Sequence, residues 1–160
     1  MPKRAVVVGA GPAGLGVAAE LHARGITCTV LERGEVVGAA WFTRYDGLRL
    51  HTARWLSGSP GVRIPPFLGP WVSRDDYHRY LQYYAHRRGV RVECGVAVER
   101  IDRADNDWRL ATSTGPIDAG TVVIATGLCH EPRTPAWPGV DGFTGTFLHA
   151  DAYRTCTSSG

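Results

Sequence analysis

The feature that most constrains the fold is a glycine motif between a short valine-rich run and a helical pattern. Residues 4–8 form a short run rich in β-branched valine, and residues 9–14 then read Gly-Ala-Gly-Pro-Ala-Gly. Residues 12–24 carry apolar side chains at helical spacing, and residues 26–32 form a second β-rich run. Strand, helix and strand within about 30 residues predict a βαβ unit with a right-handed crossover, and hence a parallel sheet.

Each glycine of this motif has a physical role in binding a dinucleotide. Gly9 permits the tight turn out of the strand, and Gly14 lets the helix lie close to the sheet. Gly11 lets the backbone approach a pyrophosphate, which meets the free N–H groups and the positive dipole end of the helix. Pro12 costs nothing in the first turn, because its missing N–H would have no intrahelical partner there, and Ala13 follows it as a further cofactor-binding residue. The motif therefore predicts a Rossmann-like nucleotide site.

Glu32 ends the second β-rich run, 18 residues after Gly14. A carboxylate at this position accepts hydrogen bonds from ribose hydroxyls and repels a 2′-phosphate, which favours FAD or NAD over NADP. The alternative is a glycine-rich turn in an unrelated α/β domain, and it leaves Glu32 unexplained.

Several further elements can be placed from local patterns. We expect Ala13, Val17, Ala18 and Leu21 to form the buried face of the first helix, which Gly25 ends. Ser73 and Asp76 resemble a capping box, and they open a second helix with an apolar face of Tyr77, Tyr80, Leu81 and Tyr84. Short strands are predicted over 90–94, 96–102, 108–113 and 117–120, and a buried strand over 121–126.

These elements predict a three-layer, Rossmann-like α/β domain over residues 1–127 with a central parallel sheet. Residues 34–72 are loop-like, and residues 96–120 are read as an inserted β-meander. Residues 128–160 carry no periodic pattern and are interpreted as a linker.

Composition excludes several other classes of protein. The net charge is +3 and the basic residues are scattered, so we expect no nucleic-acid partner. No apolar run approaches the roughly 20 residues that cross a bilayer, so no membrane partner is expected. The cysteines form no CxxC pair, which disfavours a flavin disulfide reductase and indicates a reducing, cytoplasmic location. No metal site is predicted, because Asp102, Asp105 and Asp107 lack the ligand number of a calcium loop.

Several motifs together resemble the class B flavin-dependent monooxygenases, which include flavin-containing, auxin-forming (indole-3-pyruvate) and Baeyer–Villiger enzymes. Residues 37–41 are similar to the family's Gly-Gly-x-Trp loop, with Ala39 in place of the second glycine. Residues 45–52 are similar to a flavin-contacting stretch of auxin-type and bacterial members, and Ala125-Thr126-Gly127 resembles the ATG motif. The most specific likeness is Phe143-x-Gly145-xxx-His149-xxx-Tyr153, which matches the fingerprint of these monooxygenases.

The resemblance implies that the cofactor is FAD and that Glu32 holds the AMP ribose. Val98 would offer its backbone to the adenine, and Trp41 would pack near the isoalloxazine or ribityl chain. The remaining FAD-binding residues that the resemblance implies are Arg33, Gly38, Ala40, Leu50, His51, Thr52, Ala125, Thr126 and Gly127. His51 is also the one candidate catalytic residue, with an ordinary polar loop residue as the equal alternative. For His149, a structural role is favoured over direct catalysis.

The reaction implied by the resemblance is oxygen insertion. NADPH reduces FAD, O2 adds at flavin C4a, and the hydroperoxide oxygenates a small organic substrate. Family members carry a second glycine motif for NADPH, and we find none in these 160 residues. We therefore expect the chain to be the N-terminal FAD-binding part of a larger enzyme, inactive alone and weak in binding FAD. The alternatives are a non-catalytic FAD-binding module and a Baeyer–Villiger branch enzyme.

Overall fold

The computed structural model describes residues 4–128 and 132–155, and its centre is a four-stranded parallel sheet. The strands are β1 (Ala5–Val8), β2 (Cys28–Leu31), β3 (Val92–Glu93) and β7 (Thr121–Ile124), in the order β3-β2-β1-β7. Ala5 pairs with Cys28 on one side and with Thr121 on the other. This order confirms the predicted parallel sheet and places β1 at its centre.

Helices cover one face of the sheet. They are α1 (Pro12–Ala23), a one-turn α2 (Ala39–Phe42) and α3 (Arg74–Arg87). Val7 and Val30 point to this side and pack in one buried cluster with Leu15 of α1 and Tyr84 of α3. Alternate residues of a strand face opposite sides, so Val6 and Val8 are free to build a second cluster.

An antiparallel meander covers the other face. Its strands are β4 (Val98–Ala104), β5 (Asp107–Thr112) and β6 (Gly115–Ala119), and they pair in sequence order. Val6, Val8 and Leu31 pack with Leu110 and Ala119 in the second buried cluster. Helices, parallel sheet and meander are the three predicted layers.

The buried face of α1 differs from the prediction. Ala13 and Val17 are exposed, whereas Gly14, Leu15, Ala18 and Ala19 are buried. A β-carbon on Gly14 would lie 1.9 Å from the carbonyl oxygen of Gly9. The helix therefore packs through a glycine at closest approach, and a pattern that counts only apolar side chains cannot show this.

The second long helix agrees with the prediction. The backbone N–H of Asp76 donates to Ser73 Oγ (3.2 Å), and the Ser73 hydroxyl donates to the Asp76 carboxylate (2.6 Å). Tyr77, Tyr80, Leu81 and Tyr84 are all buried. Gly89 follows in the left-handed region with φ +63°, where glycine is unstrained.

The loop region 34–72 contains α2 and two short 3-10 helices, Arg54–Leu56 and Pro66–Leu68. Backbone hydrogen bonds from Leu50 N–H to Val72 O (2.9 Å) and from Arg54 N–H to Pro70 O (2.8 Å) tie its two halves together. Two further 3-10 helices, Val140–Gly142 and Ala150–Ala152, lie in the C-terminal region. In the part of the chain that the structure describes, no helix is long and apolar enough to cross a membrane.

Candidate functional site

The site lies at the carboxyl ends of β1 and β7, where the strand order reverses. β2 extends the sheet on one side of β1 and β7 extends it on the other. Open parallel sheets bind ligands in the crevice at such a switch point. Gly9 follows β1 and Ala125 follows β7, so the two predicted motifs meet here although 116 positions apart in the sequence.

The three motif glycines have different surroundings. Gly9 has φ +104°, and a β-carbon there would lie 2.5 Å from Ala125 O. Gly14 has no room for a β-carbon because Gly9 O lies in the way. By contrast, no atom lies within 4 Å of the position a Gly11 β-carbon would take. Gly9 and Gly14 are therefore required by the packing, whereas Gly11 borders open space.

The start of α1 has no partner from a side chain. Gly11 is the N-cap with extended backbone (φ −79°), no side chain caps the helix, and its first turn holds no acidic residue. Pro12, which has no N–H, lies in the first turn. An uncapped helix start beside the open space at Gly11 can accept an anion, because its N–H groups and dipole favour negative charge.

Glu32 lies half-buried directly after β2, and its carboxylate is held by two backbone groups. Oε2 accepts from Ala10 N–H (2.7 Å) and Oε1 accepts from Gly34 N–H (2.9 Å). Each carboxylate oxygen has a second lone pair, so both can still accept from a ligand hydroxyl. The contact with Ala10 fixes the carboxylate against the glycine turn, and no sequence pattern predicts this contact.

The Gly38 loop is anchored to the helix layer. Gly38 N–H donates to Ala10 O (3.1 Å), and Gly38 takes φ +73° at the start of α2. The buried His78 of α3 contacts the same turn through Nε2 and Val37 O (3.0 Å). Trp41 packs edge-on against Tyr77 with ring centroids 4.6 Å apart. α2 is thereby held between the glycine turn and α3. Sequence reasoning did not single out His78, because one histidine in a helix has no motif to mark it.

The predicted residues of the loop region lie either in the core or at the surface. The Leu50 side chain is buried in the helix-side core, whereas His51 and Thr52 are exposed, as are Arg33 and Ala40. Thr52 Oγ1 lies 2.7 Å from Ser57 Oγ. Hence only the last two residues of the 50–52 run present their side chains at the surface.

Val98 and Thr126 meet in one cleft of about 370 Å3 between the meander and the edge of β7. Val8, Ile101 and Ile124 contribute apolar walls to this cleft, and Glu99 and Arg100 lie at its polar side. The structure thus brings together two predicted site residues that lie 28 positions apart in the sequence. Ile124 is 69% exposed and Leu128 98% exposed, so this edge of the described sheet presents apolar surface.

The described part of the chain holds neither a cluster of metal-ligating side chains nor a disulfide. Within residues 4–128 and 132–155, no three His, Cys, Asp or Glu side chains are grouped to hold a metal ion. Cys28 and Cys94 are both free thiols, and burial raises the pKa of each. The other two cysteines, at positions 129 and 156, lie outside the described residues.

The glycine turn, the uncapped helix start, the carboxylate after β2 and the switch-point crevice define a dinucleotide-binding α/β domain. Residues 6–157 match the family described as pyridine nucleotide-disulphide oxidoreductase, and the chain belongs to it. The proteins that the chain is similar to include flavin-dependent monooxygenases, which confirms the resemblance seen in the motifs.

One curated relative and two solved structures illustrate this resemblance. The chain is 38% identical over 155 residues to indole-3-pyruvate monooxygenase YUCCA1 of Oryza sativa subsp. japonica. The aligned residues cover 94% of the chain and 38% of that protein. A flavin-containing monooxygenase from Stenotrophomonas maltophilia superposes with a TM-score of 0.86 at 29% identity, over 96% of the chain and 47% of its own. A structure of OTEMO in complex with FAD and NADP gives a TM-score of 0.76 at 27% identity, over 99% of the chain and 32% of OTEMO. The chain thus spans about two fifths of the curated relative.

Proposed function

We propose that this chain binds FAD and is the FAD-binding part of an NADPH- and O2-dependent monooxygenase that acts on a small organic substrate. One observation carries the proposal. The open space at Gly11 lies at an uncapped helix start, while the carboxylate of Glu32 is fixed against the same turn.

The residues present fit the adenine half of FAD. Gly11 leaves room for the pyrophosphate, and the N–H groups at the start of α1 supply donors for it. Glu32 retains acceptor capacity for the ribose hydroxyls. The cleft with Val98 and Thr126 supports a place for the adenine on the meander side. Binding of FAD and NADP in the OTEMO complex supports the same cofactor pair for this chain.

The flavin half would face the loops that follow Gly38. When bound, FAD supplies the acceptor for a hydride and the site of oxygen activation. The chain's own residues orient it: Gly38 and His78 fix α2, and Trp41 of α2 packs on Tyr77. His51 and Thr52 are exposed polar side chains at the end of the flavin-contacting stretch, and we propose them as contacts to the cofactor.

The test is a titration with FAD in which the quenching of flavin fluorescence measures binding. Gly11→Ala and Gly142→Ala are the matched pair of variants. At both glycines an added β-carbon meets no atom within 4 Å, and neither has positive φ. We expect Gly11→Ala to lower the FAD affinity by about tenfold or more because its methyl group occupies the phosphate space, and Gly142→Ala to bind like the unsubstituted chain.

FMN serves as the ligand control. It lacks the AMP half, so we expect it to bind far more weakly than FAD. Equal affinity for FAD and FMN, or an unchanged affinity of Gly11→Ala for FAD, contradicts the proposed placement of the pyrophosphate.

A further inference from the structure

The fingerprint residues Phe143, Gly145, His149 and Tyr153 have specific local structures. A β-carbon on Gly145 would lie 2.4 Å from Phe143 Cζ, so the phenyl ring lies directly over this glycine. His149 precedes the 3-10 helix Ala150–Ala152, and its Nδ1 accepts from Asp151 N–H (3.0 Å). Phe143, Gly145 and His149 therefore make contacts with residues close to them in the sequence, and Tyr153 contacts a distant part of the chain.

Residues 149–154, here called the fingerprint segment, lie against the loop of residues 44–46. The rings of Tyr153 and Tyr45 contact each other with centroids 5.9 Å apart. Arg44 pairs with Asp151 at 3.7 Å. The backbone N–H of Asp46 donates to Arg154 O at 2.8 Å. Three consecutive residues of the loop thus each make a different kind of contact with the segment.

Arg74, the first residue of α3, holds this loop from the opposite side. Its Nη1 donates to Arg44 O and to Asp46 Oδ1 (2.9 Å), and its backbone N–H donates to Leu48 O (2.9 Å). The Arg74 side chain is only 13% exposed, and Asp75 fixes its Nε at 2.7 Å. A guanidinium group presents several donors in a rigid plane, so one side chain can fix both ends of the loop.

We propose that Arg74 is a positioning residue that sets the loop 44–46 as the receptor for the fingerprint segment. Residues 45 and 46 of this loop are also the first two residues of the flavin-contacting stretch 45–52. Docking of the segment and placement of that stretch are therefore coupled. Docking of the fingerprint segment on the loop concerns contacts within the chain alone. Coupling of this docking to the flavin-contacting stretch rests on the proposed FAD function. Hydrogen exchange and flavin spectroscopy test the docking and the coupling separately.

The first experiment measures hydrogen exchange in the chain without FAD. Arg74→Gln removes the guanidinium fork, Arg74→Lys keeps the charge, and Arg79→Gln is the matched control. Arg79 belongs to the same helix but pairs only with Asp76 at the surface. We expect Arg74→Gln to increase exchange about tenfold both at Asp46 N–H and in peptides covering 150–154. Arg74→Lys should recover part of the protection, and Arg79→Gln should match the unsubstituted chain.

The outcomes at the two places decide the docking part of the proposal. Faster exchange at residues 44–48 with unchanged exchange at 150–154 overturns it, because the segment would then dock without Arg74. Equal acceleration throughout the chain, or an equal effect of Arg79→Gln, shows general destabilisation and also overturns it.

The second experiment adds FAD and records its visible absorption spectrum and affinity for Arg74→Gln and Asp151→Asn. Asp151→Asn removes the ion pair with Arg44 by a change in the fingerprint segment. Any effect of this substitution on the cofactor must therefore pass through the loop 44–46. We expect both variants to shift the flavin band, and Arg79→Gln to leave it unchanged. Identical spectra in all variants overturn the coupling to the cofactor while leaving the docking result intact. Failure of the unsubstituted chain to bind FAD contradicts the proposed function instead, and the hydrogen-exchange result remains valid.

Discussion

Gly9 and Ala125 are in direct backbone contact across the switch point, so that a β-carbon on Gly9 would lie 2.5 Å from Ala125 O. Ala125 N–H donates in turn to Val8 O at 2.9 Å. The glycine turn after β1 and the ATG motif after β7 are therefore one packed unit. A change at either place alters the shape of the other.

Substitutions of the motif glycines should separate folding from binding. Gly9→Ala combines a positive φ with a clash against backbone, and Gly14→Ala places a methyl group 1.9 Å from Gly9 O. We expect each substitution to lower the free energy of unfolding by about 2 kcal/mol or more. The clashing atoms, Ala125 O and Gly9 O, belong to the backbone and cannot move away as a flexible side chain could. Urea denaturation followed by far-UV circular dichroism measures this.

Gly11→Ala is the control for these two variants. Its backbone has φ −79° and no atom is near, so it should cost no more than about 1 kcal/mol, the loss of a favourable N-cap residue. A Gly14→Ala chain as stable as Gly11→Ala contradicts the close approach of α1 to the sheet.

Glu32 should contribute to stability as well as to binding. Its two oxygens accept from Ala10 N–H and Gly34 N–H, and Glu32→Gln replaces one acceptor by an NH2 group that cannot accept. We expect a loss of about 1–3 kcal/mol in the free energy of unfolding without any ligand. Glu99→Gln is the control, because Glu99 is an exposed residue of β4. Equal stability of the two variants in urea would show that the backbone contacts of Glu32 do not hold the turn.

Tyr77 should make stability fall at alkaline pH. Burial, with a smaller contribution from Tyr80, raises its pKa to about 12, against about 10 in the unfolded chain. A raised pKa in the folded state means that the stabilisation is complete below pH 10 and is lost as the pH rises towards 12. We expect the unfolding midpoint in urea to fall over this interval.

Tyr77→Phe is the matched variant for this effect, because phenylalanine keeps the ring against Trp41 and does not ionise. Its stability should fall less between pH 10 and 12 than that of the unsubstituted chain. The difference in absorbance at 295 nm between the two chains should follow the ionisation of Tyr77. Parallel pH profiles for the two chains would refute the assignment.

Local patterns predicted those parts of the fold in which short-range order decides the structure. Each of these parts is encoded in one continuous stretch of sequence: the valine run of β1, the Ser73 cap with the tyrosine face of α3, and the meander. The glycine motif and Glu32 could be predicted for the same reason, since the turn and strand end that hold them are local.

The remaining features depend on contacts between distant segments. Ala18 and Leu21 of the predicted α1 face contact the core, but Ala13 and Val17 are exposed because the helix packs through Gly14. Leu50 lies in the core because its backbone pairs with Val72. His78 and Arg74 belong to no sequence motif. They bond to the carbonyl oxygens of Val37 and Arg44 because α3 passes beside the two loops that contain those residues. No period or spacing along the chain marks such a pair.

His78 gives the last prediction, on the placement of α2. It contacts Val37 O through Nε2 at 3.0 Å, and its ring lies within 3.3 Å of the place a Gly38 β-carbon would take. His78→Leu keeps the bulk but leaves Val37 O without this donor, whereas His78→Gln can still donate. We expect His78→Leu to lose about 1–2 kcal/mol of stability and to shift the Trp fluorescence as the Trp41–Tyr77 contact loosens. Trp41→Phe removes the reporter and should abolish the shift while keeping the stability difference between the two His78 variants. Identical emission and stability for His78→Leu and His78→Gln would mean that packing of the ring, and not its hydrogen bond, holds the turn that begins α2.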